Sequence, residues 1–137
     1  MKTIECSIRV RYSEVSRQGY AHHANYMNWF DIAQEELIKS CGMSYKDVED
    51  LGFFLATIED HCTYVHPACY NDELTIRLSV SELSSIKVNF AYEIIRKKDA
   101  KLIAMGQSNH VFVDNNFRPH SLKKVVPKLY ATIAELV

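Results

Sequence analysis

The chain has 137 residues and a net charge of -1, with 47% hydrophobic and 24% charged residues. This length suits one domain with a buried core, and both fractions are ordinary for a globular protein. The balanced charge offers no basic surplus for nucleic acid and no acidic tail typical of disorder. We therefore expect a single domain over residues 1–137 that does not bind nucleic acid.

The four cysteines, at positions 6, 41, 62 and 69, show no C-x-x-C spacing. Three of them lie in runs that favour strand or helix, so we expect buried, reduced thiols and no disulfide framework. The first residues contain no apolar signal segment, and no apolar run is long enough to span a bilayer. These features predict a cytoplasmic protein without a membrane span.

The first part of the chain predicts one strand and two helices. Apolar and polar residues alternate at the start, which predicts a strand whose buried face carries Ile4, Cys6, Ile8, Val10 and Tyr12. From Ala24 to Cys41, apolar and aromatic residues recur at three- and four-residue steps, which predicts a long, deeply packed helix. Gly42 is expected to end it, and Ser44 to cap a short helix over residues 45–51.

The second part predicts four more strands and a closing helix. Runs of β-branched and aromatic residues favour strands over 53–65, 74–80, 86–94 and 102–114. Turns are expected at Ser81 to Ser85 and at 96–101, so we expect these four strands to form an antiparallel meander. Pro127 suits the first position of a helix that ends near residue 136. The order predicts an α+β fold, with a five-stranded antiparallel sheet curled round the long helix.

The loop between the first strand and the long helix carries the strongest functional signal. Residues 14–26 read E-V-S-R-Q-G-Y-A-H-H-A-N-Y. A helix N-terminus leaves backbone N–H groups without partners and carries a partial positive charge. The loop is therefore suited to hold a carboxylate, a phosphate or the polarised oxygen of a thioester carbonyl.

Several residues of this stretch resemble a known family. Val10, Tyr12, Gly19 and the run from His23 to Tyr26 are similar to the opening of the 4-hydroxybenzoyl-CoA thioesterase and YbgC-like branch of the hotdog-fold acyl-CoA thioesterases. Weaker matches continue as far as Arg118-Pro119, so the resemblance covers nearly the whole chain. The resemblance implies a hotdog fold and hydrolysis of an acyl-CoA or acyl-carrier thioester. It also implies a homodimer or tetramer, and no cofactor other than coenzyme A as part of the substrate.

The resemblance further implies how the site works. In the family, the backbone N–H at the position of His23 polarises the thioester carbonyl, and an aspartate three residues before the glycine acts as base or nucleophile. This chain has Ser16 at that place. A serine cannot take a proton from water at neutral pH without a base beside it. Replacement bases within reach of the loop are Glu14, His22 or His23, and Glu59 or Asp60 from a neighbouring subunit.

These considerations give a defined set of site residues. The catalytic candidates are His23, Ser16 and Glu14, and the substrate-binding candidates are Gly19, Tyr20, His22, Asn25, Tyr26 and Lys87. The simpler interpretation, which the residue types favour, is that Glu14 is a solvated strand-end charge and His22 an exposed helix-start residue. Ser16 could be a plain loop residue in a non-hydrolytic acyl-CoA-binding protein, and a dehydratase-like enzyme is a third possibility.

No metal site is predicted. His61 and His66 lie near Cys62 and Cys69, but their spacing matches no common set of metal ligands. Packing within a strand is the better interpretation of these residues.

Overall fold

The structure is a computed structural model that describes residues 2–137. Its elements are β1 (Ile4–Arg9), a 3-10 turn (Tyr12–Glu14), α1 (Ala24–Ser40), α2 (Tyr45–Asp50), β2 (Phe53–Tyr64), β3 (Glu73–Leu83), β4 (Lys87–Arg96), β5 (Leu102–Asp114), α3 (Leu122–Val125) and α4 (Pro127–Ala134). The predicted α+β class, the long helix and the five strands are confirmed. Among the described residues, no helix has the length and apolar character needed to cross a membrane.

The five strands form one antiparallel sheet in the order β1-β3-β4-β5-β2. Only β3, β4 and β5 form a meander, so the prediction of a four-stranded meander is wrong for β2. The segment after β2 carries the chain across to β3, while β2 itself pairs with β5 over almost its whole length. As a result β1 and β2 are the two edges of the sheet.

Helix α1 packs its apolar face against the sheet. Its side chains Tyr26, Trp29, Phe30, Ala33, Leu37 and Ile38 are all buried. The ring of Phe30 stacks on Tyr92 of β4 at 4.2 Å between centroids. A Cβ atom at Gly106 of β5 would lie 2.4 Å from the same ring, so only glycine lets α1 approach the sheet this closely. This contact fixes the helix, and with it the position of its N-terminus.

Four local predictions need correction. Strand β1 ends at Arg9, and Tyr12 is 79% exposed in the 3-10 turn instead of buried on the strand. Strand β3 continues through a bulge to Leu83, so the predicted turn over Ser81 to Ser85 is shorter. Helix α3 was not predicted, because four residues are too few to show a helical period. Of the four cysteines, which are all free, only Cys41 is fully buried.

Candidate active site

One cavity of about 490 Å³ lies where the loop before α1 meets the end of β2. From the loop and the start of α1 it is lined by Ser16, Tyr20, Ala21, His22, His23 and Tyr26. From the segment at the end of β2 it is lined by Tyr64, Val65, His66 and Pro67. Five of the predicted site residues are therefore brought together: Ser16, Tyr20, His22, His23 and Tyr26.

A tight turn shapes the loop. The N–H of Gly19 donates to the carbonyl of Ser16 at 2.9 Å, and the N–H of Ser16 donates to the carbonyl of Tyr20 at 2.8 Å. Gly19 has a φ of +85°, which side-chain-bearing residues adopt only with strain. The N–H of Ala21 then donates to the carbonyl of Ala68 at 2.8 Å and ties the loop to the segment after β2. Gly19 therefore forms the turn and does not itself line the cavity.

The first residues of α1 leave one backbone donor free. The N–H of His22 donates to the carbonyl of Glu14 at 2.8 Å, and the N–H of Ala24 donates to Nδ1 of His22 at 3.2 Å. The N–H of Asn25 donates to the carbonyl of His22 at 3.1 Å. Within residues 2–137, the N–H of His23 has no acceptor. A free N–H at the positive end of a helix is the donor that an oxyanion requires.

Asn25 and Tyr26 hold this arrangement in place. The side-chain amide of Asn25 donates to the carbonyls of Glu14 at 2.9 Å and His22 at 3.0 Å, so it ties the loop to the helix. The ring of Tyr26 is buried and meets Tyr64 edge-to-face at 4.8 Å between centroids, which forms a wall of the cavity. Asn25 does not line the cavity, and its substrate-binding role stays a prediction.

Glu14 is a buried anchor of the loop. The residue is only 6% exposed, so the alternative of a solvated strand-end charge is wrong. The carboxylate accepts from the backbone N–H of Arg11 at 2.8 Å and from Nε1 of Trp29 at 3.0 Å. Burial raises the pKa of Glu14, but the hydrogen bonds from Arg11 and Trp29 outweigh it and leave the pKa below its usual value. Glu14 does not line the cavity, and its catalytic role stays a prediction that this geometry disfavours.

The remaining candidates lie in different places. Ser16 is exposed at the cavity, at the position where the resembling family has its aspartate. Lys87 is exposed at the start of β4, where its backbone N–H donates to Ser84 at 3.0 Å, and it lies outside the cavity. Glu59 and Asp60 lie on the edge strand β2, and Glu59 is 3.2 Å from His61. None of these last three contributes to the cavity of its own chain.

Sequence reasoning missed Tyr64 and His66 as cavity residues. Tyr64 is the last residue of β2 and His66 lies just beyond it, where the composition indicated only a strand followed by Pro67. The hydroxyl of Tyr64 lies 3.5 Å from the carbonyl of His23, which brings the strand end to the helix start. No spacing in the sequence could reveal this, because the approach depends on β2 pairing with β5 at the far edge of the sheet.

The cavity is also defined by the groups that it lacks. None of the residues lining it is a carboxylate. In the described part of the chain, no group of three or more His, Cys, Asp or Glu side chains is placed to hold a metal ion. The cavity is lined by three imidazole side chains, those of His22, His23 and His66.

Comparison with known proteins agrees with this geometry. Residues 10–130 match the family model described as the thioesterase-like superfamily. The chain belongs to the thioesterase-like superfamily. A candidate esterase of Aquifex aeolicus is 33% identical over 107 residues, which are 78% of this chain and 82% of that protein. The candidate acyl-CoA thioesterase YneP of Bacillus subtilis is 28% identical over 121 residues, 88% of this chain and 87% of YneP.

Solved structures show the same fold as this superfamily member. The DHNA-CoA thioesterase of Staphylococcus aureus aligns with a TM-score of 0.91 at 24% identity, over 98% of this chain and 91% of that one. The 1,4-dihydroxy-2-naphthoyl-CoA thioesterase Slr0204 of Synechocystis aligns at 0.88 and 20% identity, over 98% of each chain. These likenesses confirm the predicted hotdog fold. The family model over residues 10–130 and the Aquifex aeolicus relative confirm the predicted thioesterase family.

Proposed function

We propose that the protein hydrolyses acyl-CoA thioesters in the cavity at the start of α1. The observation that carries the proposal is the free N–H of His23 at the positive end of α1, on a cavity that also contains Ser16. YneP is named for acyl-CoA, and the Staphylococcus aureus neighbour for DHNA-CoA, so coenzyme A is the carrier that the comparisons favour. Coenzyme A enters as part of the substrate, and we propose no separate cofactor.

The chemistry follows from the position of the free donor. The thioester carbonyl oxygen accepts from the N–H of His23, and water adds to the carbonyl carbon. The negative charge that develops on oxygen is stabilised by the N–H and by the helix dipole. One such donor lowers the barrier by roughly 3–4 kcal/mol in other enzymes. Collapse of the intermediate breaks the C–S bond and releases the thiol and the acid.

We also propose a homodimer, or a tetramer built from such dimers, formed at the edge strand β2. This strand has twelve residues, pairs with β5 on one side only, and exposes Ile58 to 60% of its surface. A long edge strand with exposed apolar side chains is normally covered by another strand. A twofold axis would pair two copies of β2 and bring Glu59 and Asp60 of each copy towards its partner.

Free thiols support a place in a reducing compartment. All four cysteines are free, and disulfides are rare in the cytosol. We therefore propose that the protein acts in the cytoplasm.

The test compares His23→Pro with His23→Ala on a panel of short, medium, long and aromatic acyl-CoAs, with free thiol release as the readout. His23 has a φ of -57°, which proline adopts without strain, so His23→Pro removes the N–H alone from the backbone. We expect kcat to fall about 100-fold or more for His23→Pro, the usual loss for one oxyanion donor. His23→Ala keeps the N–H and is the matched control.

Three outcomes would contradict parts of this proposal. Equal loss in both variants would mean that the His23 side chain, and not its N–H, is responsible. A wild-type protein that binds acyl-CoA without turnover, and that gains activity with Ser16→Asp, would show a non-hydrolytic binder. A monomeric mass in light scattering would refute the dimer. The same assay with acyl-carrier thioesters decides whether coenzyme A or an acyl carrier is the preferred carrier.

A further inference from the structure

Among the described residues that line the cavity, three histidines are the side chains whose ring nitrogens can act as a base. These are His22, His23 and His66, and no carboxylate accompanies them. An imidazole can act as a base only through a ring nitrogen whose lone pair is free. The hydrogen bond made by the other ring nitrogen decides which tautomer is present, so each ring can be assessed by its neighbours.

The ring of His22 is held in the wrong tautomer for a base. Its Nδ1 lies 3.2 Å from the backbone nitrogen of Ala24. An amide N–H can only donate, so Nδ1 of His22 must accept and carries no hydrogen. The neutral ring then has its hydrogen on Nε2. His22 therefore presents an N–H donor to its surroundings, and its one lone pair is already used.

The ring of His66 is held in the opposite tautomer. Its Nδ1 lies 3.0 Å from the carbonyl oxygen of Leu102. A carbonyl can only accept, so Nδ1 of His66 must donate and carries the hydrogen. The neutral ring therefore has a free lone pair on Nε2. An imidazole held at Nδ1 by an oxygen acceptor, with Nε2 free, is the arrangement that a general base requires.

The backbone around His66 is fixed on both sides. The N–H groups of Val65 and His66 both donate to the carbonyl of Ile103, at 2.8 and 3.1 Å. The carbonyl of Pro67 accepts from Nη1 of Arg96 at 3.3 Å, and Arg96 also pairs with Asp72 at 3.1 Å. The ring is therefore carried by a clamped strand end instead of a free loop.

The third ring has no such support. The ring of His23 lies against that of His22, with centroids 4.2 Å apart and planes tilted by 30°. In the described part of the chain, neither ring nitrogen of His23 has a hydrogen-bond partner that would select a tautomer. Of the three cavity histidines, only His66 has an oriented ring with a free Nε2.

We infer that His66 is the general base that replaces the missing aspartate. This inference rests on the proposed hydrolysis of acyl-CoA. Nε2 of His66 takes one proton from water while the water oxygen bonds to the thioester carbon, and the carbonyl π electrons move to the oxygen held by the N–H of His23. The C–S electrons then leave with sulfur, which takes the proton back from His66. Water and thioester thus become acid and thiol, with no other reactant.

The test uses His66→Asn and His66→Ala in the full chain, with thiol release from the best acyl-CoA of the panel. The amide nitrogen of asparagine takes the place of Nδ1 and can still donate to Leu102, but it provides no base. We expect kcat to fall about 100-fold or more in both variants, the usual contribution of general base catalysis, while KM changes little. Because His66 is exposed, added imidazole should restore part of the activity of His66→Ala.

His120→Gln is the matched control. His120 lies outside the cavity, 2.8 Å from Asp114, so its replacement should leave kcat unchanged. Full activity in His66→Asn would overturn the assignment of His66 while acyl-CoA hydrolysis stands. The assignment would also be overturned if His66→Ala lost activity that imidazole does not restore while His66→Asn kept its activity. That pattern would mean that His66 acts only through its hydrogen bond to the carbonyl of Leu102. A wild type without turnover on the whole panel would overturn the proposed function, and the role of His66 with it.

Discussion

A serine and a histidine occur together in the core and again at the cavity, and these two places differ in access to substrate. In the core, Oγ of Ser108 lies 2.7 Å from Nε2 of His110, and the two residues are 1% and 2% exposed. At the cavity, Ser16 and His66 are exposed and line the same open space. The core pair has the tighter hydrogen bond, but no substrate can reach it. Hydrogen-bond geometry alone therefore does not identify the site.

The core pair belongs to a chain of satisfied hydrogen bonds. The amide of Gln34 donates to the hydroxyl of Tyr92 at 2.6 Å, which lies 2.7 Å from Ser108. Ser108 can then donate to Nε2 of His110, and Nδ1 of His110 can donate to Thr57 at 3.3 Å. Every member has a partner, as buried polar groups must. The network stabilises one arrangement of α1 on the sheet and leaves no group free for chemistry.

The largest effect that tests this contrast is the response of the core to acid. Burial lowers the pKa of His110 from 6.5 to about 4. Between these values the unfolded chain binds one more proton than the folded chain, so stability falls as pH drops through this window and levels off below it. The loss should be roughly 3 kcal/mol at 1.36 kcal/mol per pKa unit. Denaturant unfolding at a series of pH values measures it.

His110→Gln is the control for that window. Burial raises the pKa values of Asp31 and Asp60, and these carboxyls oppose the loss in both proteins. Subtracting the free energy of unfolding of His110→Gln from that of the wild type cancels the contributions of Asp31 and Asp60. The free energy of unfolding of the variant should therefore change less steeply with pH between 6.5 and 4. Identical slopes would mean that His110 titrates as an accessible residue, and the contrast with the cavity would fail.

A second, smaller effect is expected for Ser108→Ala. Removing this hydroxyl leaves Nε2 of His110 without a donor and the hydroxyl of Tyr92 without an acceptor, although Gln34 still donates to Tyr92. The free energy of unfolding should therefore fall by about 1–3 kcal/mol. Turnover of acyl-CoA should stay unchanged below the melting temperature. Ser16→Ala, which removes a hydroxyl at the cavity, is the matched variant and should leave stability unchanged. A large loss of kcat in a folded Ser108→Ala would show that the core pair does take part in catalysis.

The smallest effect is expected for Glu14→Gln. Arg11 and Trp29 donate to different oxygens of the carboxylate, so glutamine keeps an acceptor for one of them and turns an NH2 group towards the other. With the charge also lost, we expect about 1–2 kcal/mol lower stability and a modest change in kcat. Thermal unfolding and thiol release measure the two effects. Complete loss of turnover with normal stability would restore Glu14 as the base and displace His66.

The sequence allowed much of the site to be predicted because its signals are local. The turn at Gly19, the start of α1 at Ala24 and the cluster of Ser16, Tyr20, His22 and His23 all lie within one short loop. Residues this close in sequence must be close in space. Apart from Ser16, the loop keeps the residues that carry the family resemblance, so the thioesterase fold could be predicted from the order of the residues alone.

Residues that reach the site from afar could not be predicted. His66 arrives through the pairing of β2 with β5, and its tautomer is set by a carbonyl 36 positions later in the chain. The burial of Glu14 likewise depends on the indole of Trp29, one helical turn into α1.

The sequence by itself determined the α+β class, the long helix and the loop that leads into it, because hydrophobic periodicity and turn chemistry act over short distances. The tertiary structure alone decided which ionisable groups meet solvent. It placed Glu14 and His110 out of reach and held His66 open at the cavity, since burial and ring tautomers depend on contacts between distant segments.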